Sequence, residues 1–209
     1  MVRQRVRIRF RKQGDLRLVG HRDLVRSMER LFRRAGLGLG MSQGFHPKPR
    51  MSFPSALALG IEGLDEVMEL ELAEPYTAEE LRRRLVAQPL PGLAFQSVEV
   101  LPPGTRKAQL AGATYQVSIP PQRRAEAAGR IARLVAASSW PIRRPNKQEE
   151  IDLRPFLQGL TLQEGVLTMR LSTSRGQSAG PRDVLRALEL ADLEREGACL
   201  TRTAVELEA

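Results

Sequence analysis

Residues 5–11 read R-V-R-I-R-F-R, with Val6, Ile8 and Phe10 set between Arg5, Arg7, Arg9 and Arg11. A period of two is the period of a β-strand, whose successive side chains point to opposite faces. This strand therefore has one apolar face that must be covered and one very basic face. Such a strand belongs to an antiparallel sheet packed on one side rather than to a parallel sheet buried on both.

The rest of the first half supplies that cover. Leu24, Met28, Leu31 and Ala35 recur at helical spacing over 21–35, and Gly36 and Gly38 end the run. Met51–Leu59 and Val67–Leu72 read as strands joined as a hairpin through Gly60–Asp65, with Glu69 and Glu71 alternating on the second. Thr77 and Glu80 form a capping-box signature for a helix reaching Ala87, and Leu93–Leu101 returns to strand alternation. The order β-α-β-β-α-β is that of the ferredoxin-like motif.

Pro102, Pro103 and Gly104 punctuate the chain, and T-R-K-A-Q-L-A-G-A over 105–113 reads as a linker. Beyond it, strands are expected at Tyr115–Ile119, Val166–Ser172 and Leu200–Leu207, and extended segments at Trp140–Arg143 and Ile151–Leu162. Helices are expected at Gln122–Ala137 and, with proline in its first turn, Pro181–Leu190. The expectation is an α+β protein of two pseudo-duplicated ferredoxin-like halves with antiparallel sheets, divided into residues 1–104 and 113–209.

Charge narrows the partners. The chain carries 33 Lys plus Arg against 24 Asp plus Glu, a net +9, so a polyanion such as RNA is the expected ligand. Aromatic residues make up only 4%, which favours recognition of structured RNA, tRNA or rRNA, by backbone and shape over single-strand stacking. The lone Cys199 excludes a disulfide framework and a cysteine-ligated zinc or iron–sulfur site, and no metal or cofactor is expected. A reducing, cytoplasmic setting fits, as does the lack of a membrane-spanning apolar run.

The stretch S-Q-G-F-H-P-K-P-R-M-S-F, residues 42–53, holds the clearest candidate site. Its prolines and glycine forbid a regular helix, Phe45, Met51 and Phe53 are expected to anchor it to the core, and Gln43, His46, Lys48 and Arg50 are left to meet an anion. In a β-α-β-β order this loop lies beside the start of the first helix, where His21 and Arg22 are expected to complete the pocket. Equally, His46 can shape a turn, and His21 can help Asp23 cap its helix.

Arg22, Arg26, Arg30 and Arg33 form a helical stripe that, joined to the arginines of strand one, makes a basic track for a phosphate backbone or a merely solvated face. Arg175 lies in a loop before a helix N-terminus where a phosphate can sit. In E-E-I-D-L-R-P, Asp152 and Arg154 share one side of an extended segment, which suits a mutual ion pair as well as a ligand contact. Cys199 is expected as a buried, inert thiol before the last strand.

The runs G-H-R-D-L, R-R-A-G-L, S-Q-G-F-H-P-K-P-R-M-S-F-P-S-A-L-A-L-G and E-I-D-L-R-P-F-L together resemble the radical SAM-linked domain family of unknown function. The resemblance implies a companion of a cobalamin-binding radical SAM protein, in a setting associated with ribosomal-protein and ribonuclease genes. It supplies no catalytic residue. Radical SAM chemistry needs three cysteines around a cluster, so any such chemistry belongs to the partner. The expected function is a non-catalytic RNA-binding or substrate-presenting subunit. Two alternatives stand beside it: a metal-independent endoribonuclease resembling CRISPR repeat-processing nucleases, with His46 as its base, and a scaffold that binds only protein.

Overall fold

The computed structural model describes residues 4–144, 150–174 and 177–208. The chain divides into two compact units, one running to Gln109 and including Leu207 and Glu208, the other spanning Leu110–Glu206. Both are mixed α+β, with four α-helices among the described residues and strand pairing that is mainly antiparallel.

The first unit contains β1 (Gln4–Lys12), α1 (His21–Arg34), β2 (Met51–Ser52), β3 (Glu62–Leu72), α2 (Ala78–Val86) and β4 (Leu93–Leu101). Its strands lie in the order β4-β1-β3-β2, each pair antiparallel, with Val6 opposite Leu70 and Ile8 opposite Met68. Val6, Ile8 and Phe10 meet Leu24, Met28, Leu31 and Phe32 of α1 and Leu81 and Leu85 of α2 in one core. Each such fully buried side chain contributes about 1.5–3 kcal/mol. The period-two reading of β1 thus decides where both helices sit.

Thr77 caps α2 as its sequence suggests, its side chain accepting from the Glu80 amide at 3.1 Å. For α1 the cap is Gly20 with no side-chain bond, and Asp23 pairs with Arg26 at 3.3 Å instead of capping. The strand expected over 51–59 shrinks to Met51–Ser52, because Pro54 has no amide with which to continue the ladder. Strand β3 instead begins early, at Glu62, since β1 extends its pairing to Lys12 opposite Gly63 across a bulge.

Residues 105–113 are not a free linker. Arg5 donates to the carbonyls of Thr105 and Arg106, each at 2.8 Å, and β5 starts at Leu110. Backbone carbonyls there find the Arg5 guanidinium of β1, and the Ala108 amide donates to Glu69 of β3 at 3.3 Å, so the segment is tied to the sheet.

The second unit contains β5 (Leu110–Ser118), α3 (Pro121–Ala136), β6 (Pro141–Arg143), β7 (Glu150–Asp152), β8 (Leu157–Gln163), β9 (Val166–Ser174), β10 (Gln177–Ser178), α4 (Pro181–Ala187) and β11 (Thr201–Leu207). Strands β11, β5 and β9 lie side by side, β8 and β10 both pair with β9, and β6 with β7 forms a separate two-stranded sheet. The β8–β9 turn has positive φ at Glu164 (52°) and Gly165 (81°), which suits the right-handed twist of a tight hairpin. Leu160, Leu167, Met169 and Leu171 on these strands are buried, as are Ala127, Ile131 and Leu134 of α3.

Candidate functional site

The stretch 40–50 forms a finger rooted on the edge of β3. At its foot the Gly40 amide donates to the Glu71 carbonyl (2.7 Å), the Arg50 amide to Gly40 (2.8 Å), and the Glu71 amide to Arg50 (3.0 Å). Higher up, Met41 bridges Pro49, the Ser42 amide donates to the Lys48 carbonyl (2.8 Å), and the Lys48 amide donates to the Ser42 hydroxyl (2.9 Å). Four main-chain bonds and one to the Ser42 hydroxyl therefore brace a short stem, and residues 43–48 at its tip are exposed.

Phe45 does not anchor the loop to the core: its relative exposure is 102%. The prolines and Gly44, with φ of 125°, turn the tip outward, while Met51 and Phe53 after the stem supply the packing against the core. Beside Phe45 stand Gln43, His46 and Lys48, whose side chains make no hydrogen bond to the other described residues.

His21 serves another purpose. Its ring meets the Phe53 ring edge to face at 4.9 Å, and Phe53 meets Phe10 in turn at 6.4 Å. Burial, with the charge of Lys12 added, lowers the His21 pKa from its ordinary value and so disfavours the imidazolium. No hydrogen bond or ion pair joins His21 or Arg22 to the finger among the described residues, so the pocket expected from His46, Lys48, Arg50, His21 and Arg22 does not form as one bonded cluster.

A different set of groups surrounds Arg50. Arg5, Arg50, Lys107, Ser52, Glu69 and Glu71, with Met51, line a cavity of about 240 Å³ at the foot of the finger. Arg50 pairs with Glu71 at 3.2 Å. Glu69, only 2% exposed, receives Arg7 on Oε1 at 3.0 Å and the Ala108 amide at 3.3 Å, and Arg5 lies 3.4 Å from its Oε2. Sequence reasoning missed Ser52, Glu69, Glu71 and Lys107, and placed Arg5 only on the basic track. The signal was the matching alternation of arginine in β1 and glutamate in β3, which antiparallel pairing brings face to face.

That same pairing removes the basic track. Arg7 reaches Glu69 and, at 3.9 Å, Glu99, and Arg9 pairs with Asp65. On α1, Arg26 pairs with Asp23 and Arg33 with Glu29 at 2.9 Å, while Arg30 bonds Ser27. The acidic residues stand three or four positions before their arginines and so share their face. Moreover, α1 covers the apolar face of β1, so the strand's arginines lie on the opposite side of the sheet from the helix.

In the second unit, the Asp152 carboxylate accepts from the amides of Trp140 (2.7 Å) and Arg154 (3.0 Å), and these bonds, the first the stronger influence, lower its pKa. The Arg154 guanidinium donates to the carbonyls of Ala137 and Leu157 instead of pairing with Asp152. Both residues hold the backbone. Arg175 lies outside the described residues. Cys199 sits just before β11, but it is exposed and its thiol faces the Leu200 carbonyl at 3.8 Å, so it is not a buried thiol. Among the described residues no three His, Cys, Asp or Glu side chains gather as a metal ion would require, and no helix is long and apolar enough to cross a membrane.

A basic α+β chain with a braced, solvent-facing finger is thus the class that fold and site define. Residues 5–182 match the family described as "Uncharacterized protein conserved in bacteria (DUF2344)", and the chain belongs to that family. No curated protein matches it. Among solved structures, an unknown protein from Galdieria sulphuraria is similar at 11% identity over 99% of both chains, with a TM-score of 0.31.

Proposed function

We propose that this protein is a non-catalytic RNA-binding partner of a cobalamin-dependent radical SAM enzyme, presenting a structured RNA such as a tRNA or rRNA segment to it. The radical SAM partner comes from the resemblance in the Q-G-F-H-P-K-P region. The RNA comes from the finger. Its carrying observation is Phe45, a fully exposed aromatic on a hydrogen-bonded stem, flanked by His46 and Lys48 in a chain of net charge +9. An aromatic held out in water is a platform for an unpaired base, worth about 1–3 kcal/mol per stacked base, and the adjacent cations suit the phosphates on either side. Composition alone pointed to shape recognition; the placement of this one ring favours a loop or bulge within a folded RNA.

We also read the two units as ferredoxin-like halves of a duplication. The order β4-β1-β3-β2 of the first unit and β11-β5-β9-β8 of the second supports that reading, with β6, β7 and β10 as additions.

The test is fluorescence anisotropy with stem–loop RNAs, using wild type and Phe45→Ala. The expected result is binding that weakens roughly tenfold in Phe45→Ala, with thermal stability changed by less than about 0.5 kcal/mol because the ring buries nothing. Absence of binding at low salt overturns the RNA reading and leaves a protein scaffold. RNA cleavage by the wild type that is lost in His46→Ala overturns the non-catalytic part and supports the endoribonuclease.

A further inference from the structure

Strand β4 ends the strand order and pairs with β1 alone, so its outer row of amides and carbonyls meets no strand among the described residues. Such an edge is a template for another chain, and proteins that stay single blunt it with proline, lysine, bulges or a covering segment. β4 has few of these devices. Its nine residues, L-A-F-Q-S-V-E-V-L, include no proline or glycine and one charge, Glu99. A bulge bends it at Gln96, but residues 97–101 pair with residues 5–9 in unbroken register. Val100 is 39% exposed although it stands on the apolar face, opposite Val6.

The helix above this edge supplies the second observation. β3 and β4 both run antiparallel to β1, so α2, which joins them and packs on β4, runs back against β4. On α2 the pair Glu80–Arg84 closes at 2.7 Å. Glu79 and Arg83 have the same i,i+4 spacing, yet both are exposed and their side chains make no ion pair among the described residues. Val86, on the same stripe, is 61% exposed. The stripe thus carries an acid, a base and an apolar group that find no partner within the helix.

We infer that β4 and α2 form an interface with a second copy of this chain, the two β4 strands pairing antiparallel about a two-fold axis perpendicular to the sheet near Val98. That axis sets Ser97 opposite Glu99 of the other copy, hydroxyl to carboxylate, on the arginine-bearing face, and keeps the two Glu99 carboxylates apart. It lays the two α2 helices antiparallel on the other face, where Glu79 of each meets Arg83 of the other and Val86 of each gains cover from the other's first turn. Both contacts are reciprocal, as an isologous interface requires. A peptide from another protein satisfies the strand edge but not the Glu79–Arg83 exchange, so the second copy is the occupant. The inference is independent of the RNA reading. In the first unit's order β4-β1-β3-β2 the finger roots at the end away from β4, and it stays free in the dimer.

Sedimentation velocity on the full chain from about 1 to 200 µM tests it. The expected result is a reversible monomer–dimer equilibrium with a Kd on the order of 10 µM, as suits a small interface. Amide hydrogen exchange at residues 97–101 should slow as the dimer forms. Val100→Lys, at an exposed edge position, should weaken association roughly tenfold while the dilute monomer melts as wild type does. Glu79→Arg and Arg83→Glu should each weaken it about fivefold, and the double variant Glu79→Arg/Arg83→Glu should recover wild-type association, because the exchanged charges meet again. A chain that stays monomeric throughout overturns the inference and leaves the edge to a strand of another protein. A dimer indifferent to Val100→Lys, or a double variant that adds the two losses instead of recovering, overturns it as well.

Discussion

His21 shows how one side chain can be legible as chemistry and still serve packing. Its ring stands against Phe53 and near Lys12, so burial first and the like charge second hold its pKa below 6.5. A lowered folded pKa means the unfolded chain binds the proton more readily. Stability is therefore full above the unfolded value, near pH 6.5, and falls as pH drops toward the lowered folded one. Melting temperature should decline as pH falls below about 6.5, and His21→Phe, which keeps the edge-to-face contact, should flatten part of that decline. A pH profile unchanged in the variant would remove this role. Asp183 makes the opposite case: burial opposes its ionisation, but Arg144 at 2.7 Å, the Gly180 amide at 2.9 Å and Arg186 together lower its pKa. Its contribution is present above the unfolded carboxylate range and lost as pH falls through the lowered folded value. Asp183→Asn should cost about 2 kcal/mol in urea unfolding, because Arg144 loses its charged acceptor.

Elements decide which residues become neighbours. The finger stands because Gly40 lets two backbones meet: a Cβ there would lie 3.0 Å from the Glu71 carbonyl oxygen. Gly40→Ala should push the stem off β3 and cost about 1–3 kcal/mol, with RNA affinity falling alongside; equal stability to wild type in chemical denaturation would show that the foot can yield. Thr77→Ala, by contrast, should cost about 1 kcal/mol through loss of the α2 cap and leave RNA binding unchanged. That cap was readable from Thr77 and Glu80 because it is a contact three residues long. The outward aim of Phe45 was not, since the same residues 42–53 could place any of three apolar side chains inward.

Charge is a property of the whole molecule, and the structure redistributes the +9 that the sequence records. Arg7, Arg9, Arg26, Arg33 and Arg50 all face carboxylates. A phosphate backbone therefore meets far fewer free cations than the arginine content suggests. For the proposed RNA binding, affinity should fall with salt at a log–log slope of only about −2 to −4, on the order of three phosphates, measured by anisotropy across a sodium chloride series. A slope near −8 would mean that the strand and helix arginines abandon their acidic partners for RNA.

Local sequence determined the elements: the alternation of β1, the helical spacing of α1, the cap of α2 and the strand Leu93–Leu101 each depend on contacts within a few residues. It also showed that helices had to cover the Val6–Phe10 face, because apolar surface on a strand cannot stay in water. Only tertiary structure decided that the Thr105 and Arg106 carbonyls meet Arg5, that Phe45 faces solvent, that Cys199 is exposed, and that Arg50 pairs with Glu71 and lines a cavity with Lys107 and Glu69. The Arg5 and Arg50 contacts join groups tens of residues apart, through strand register and carboxylate–guanidinium pairing. A one-residue slip between β1 and β3 would turn every one of those pairs to the other face.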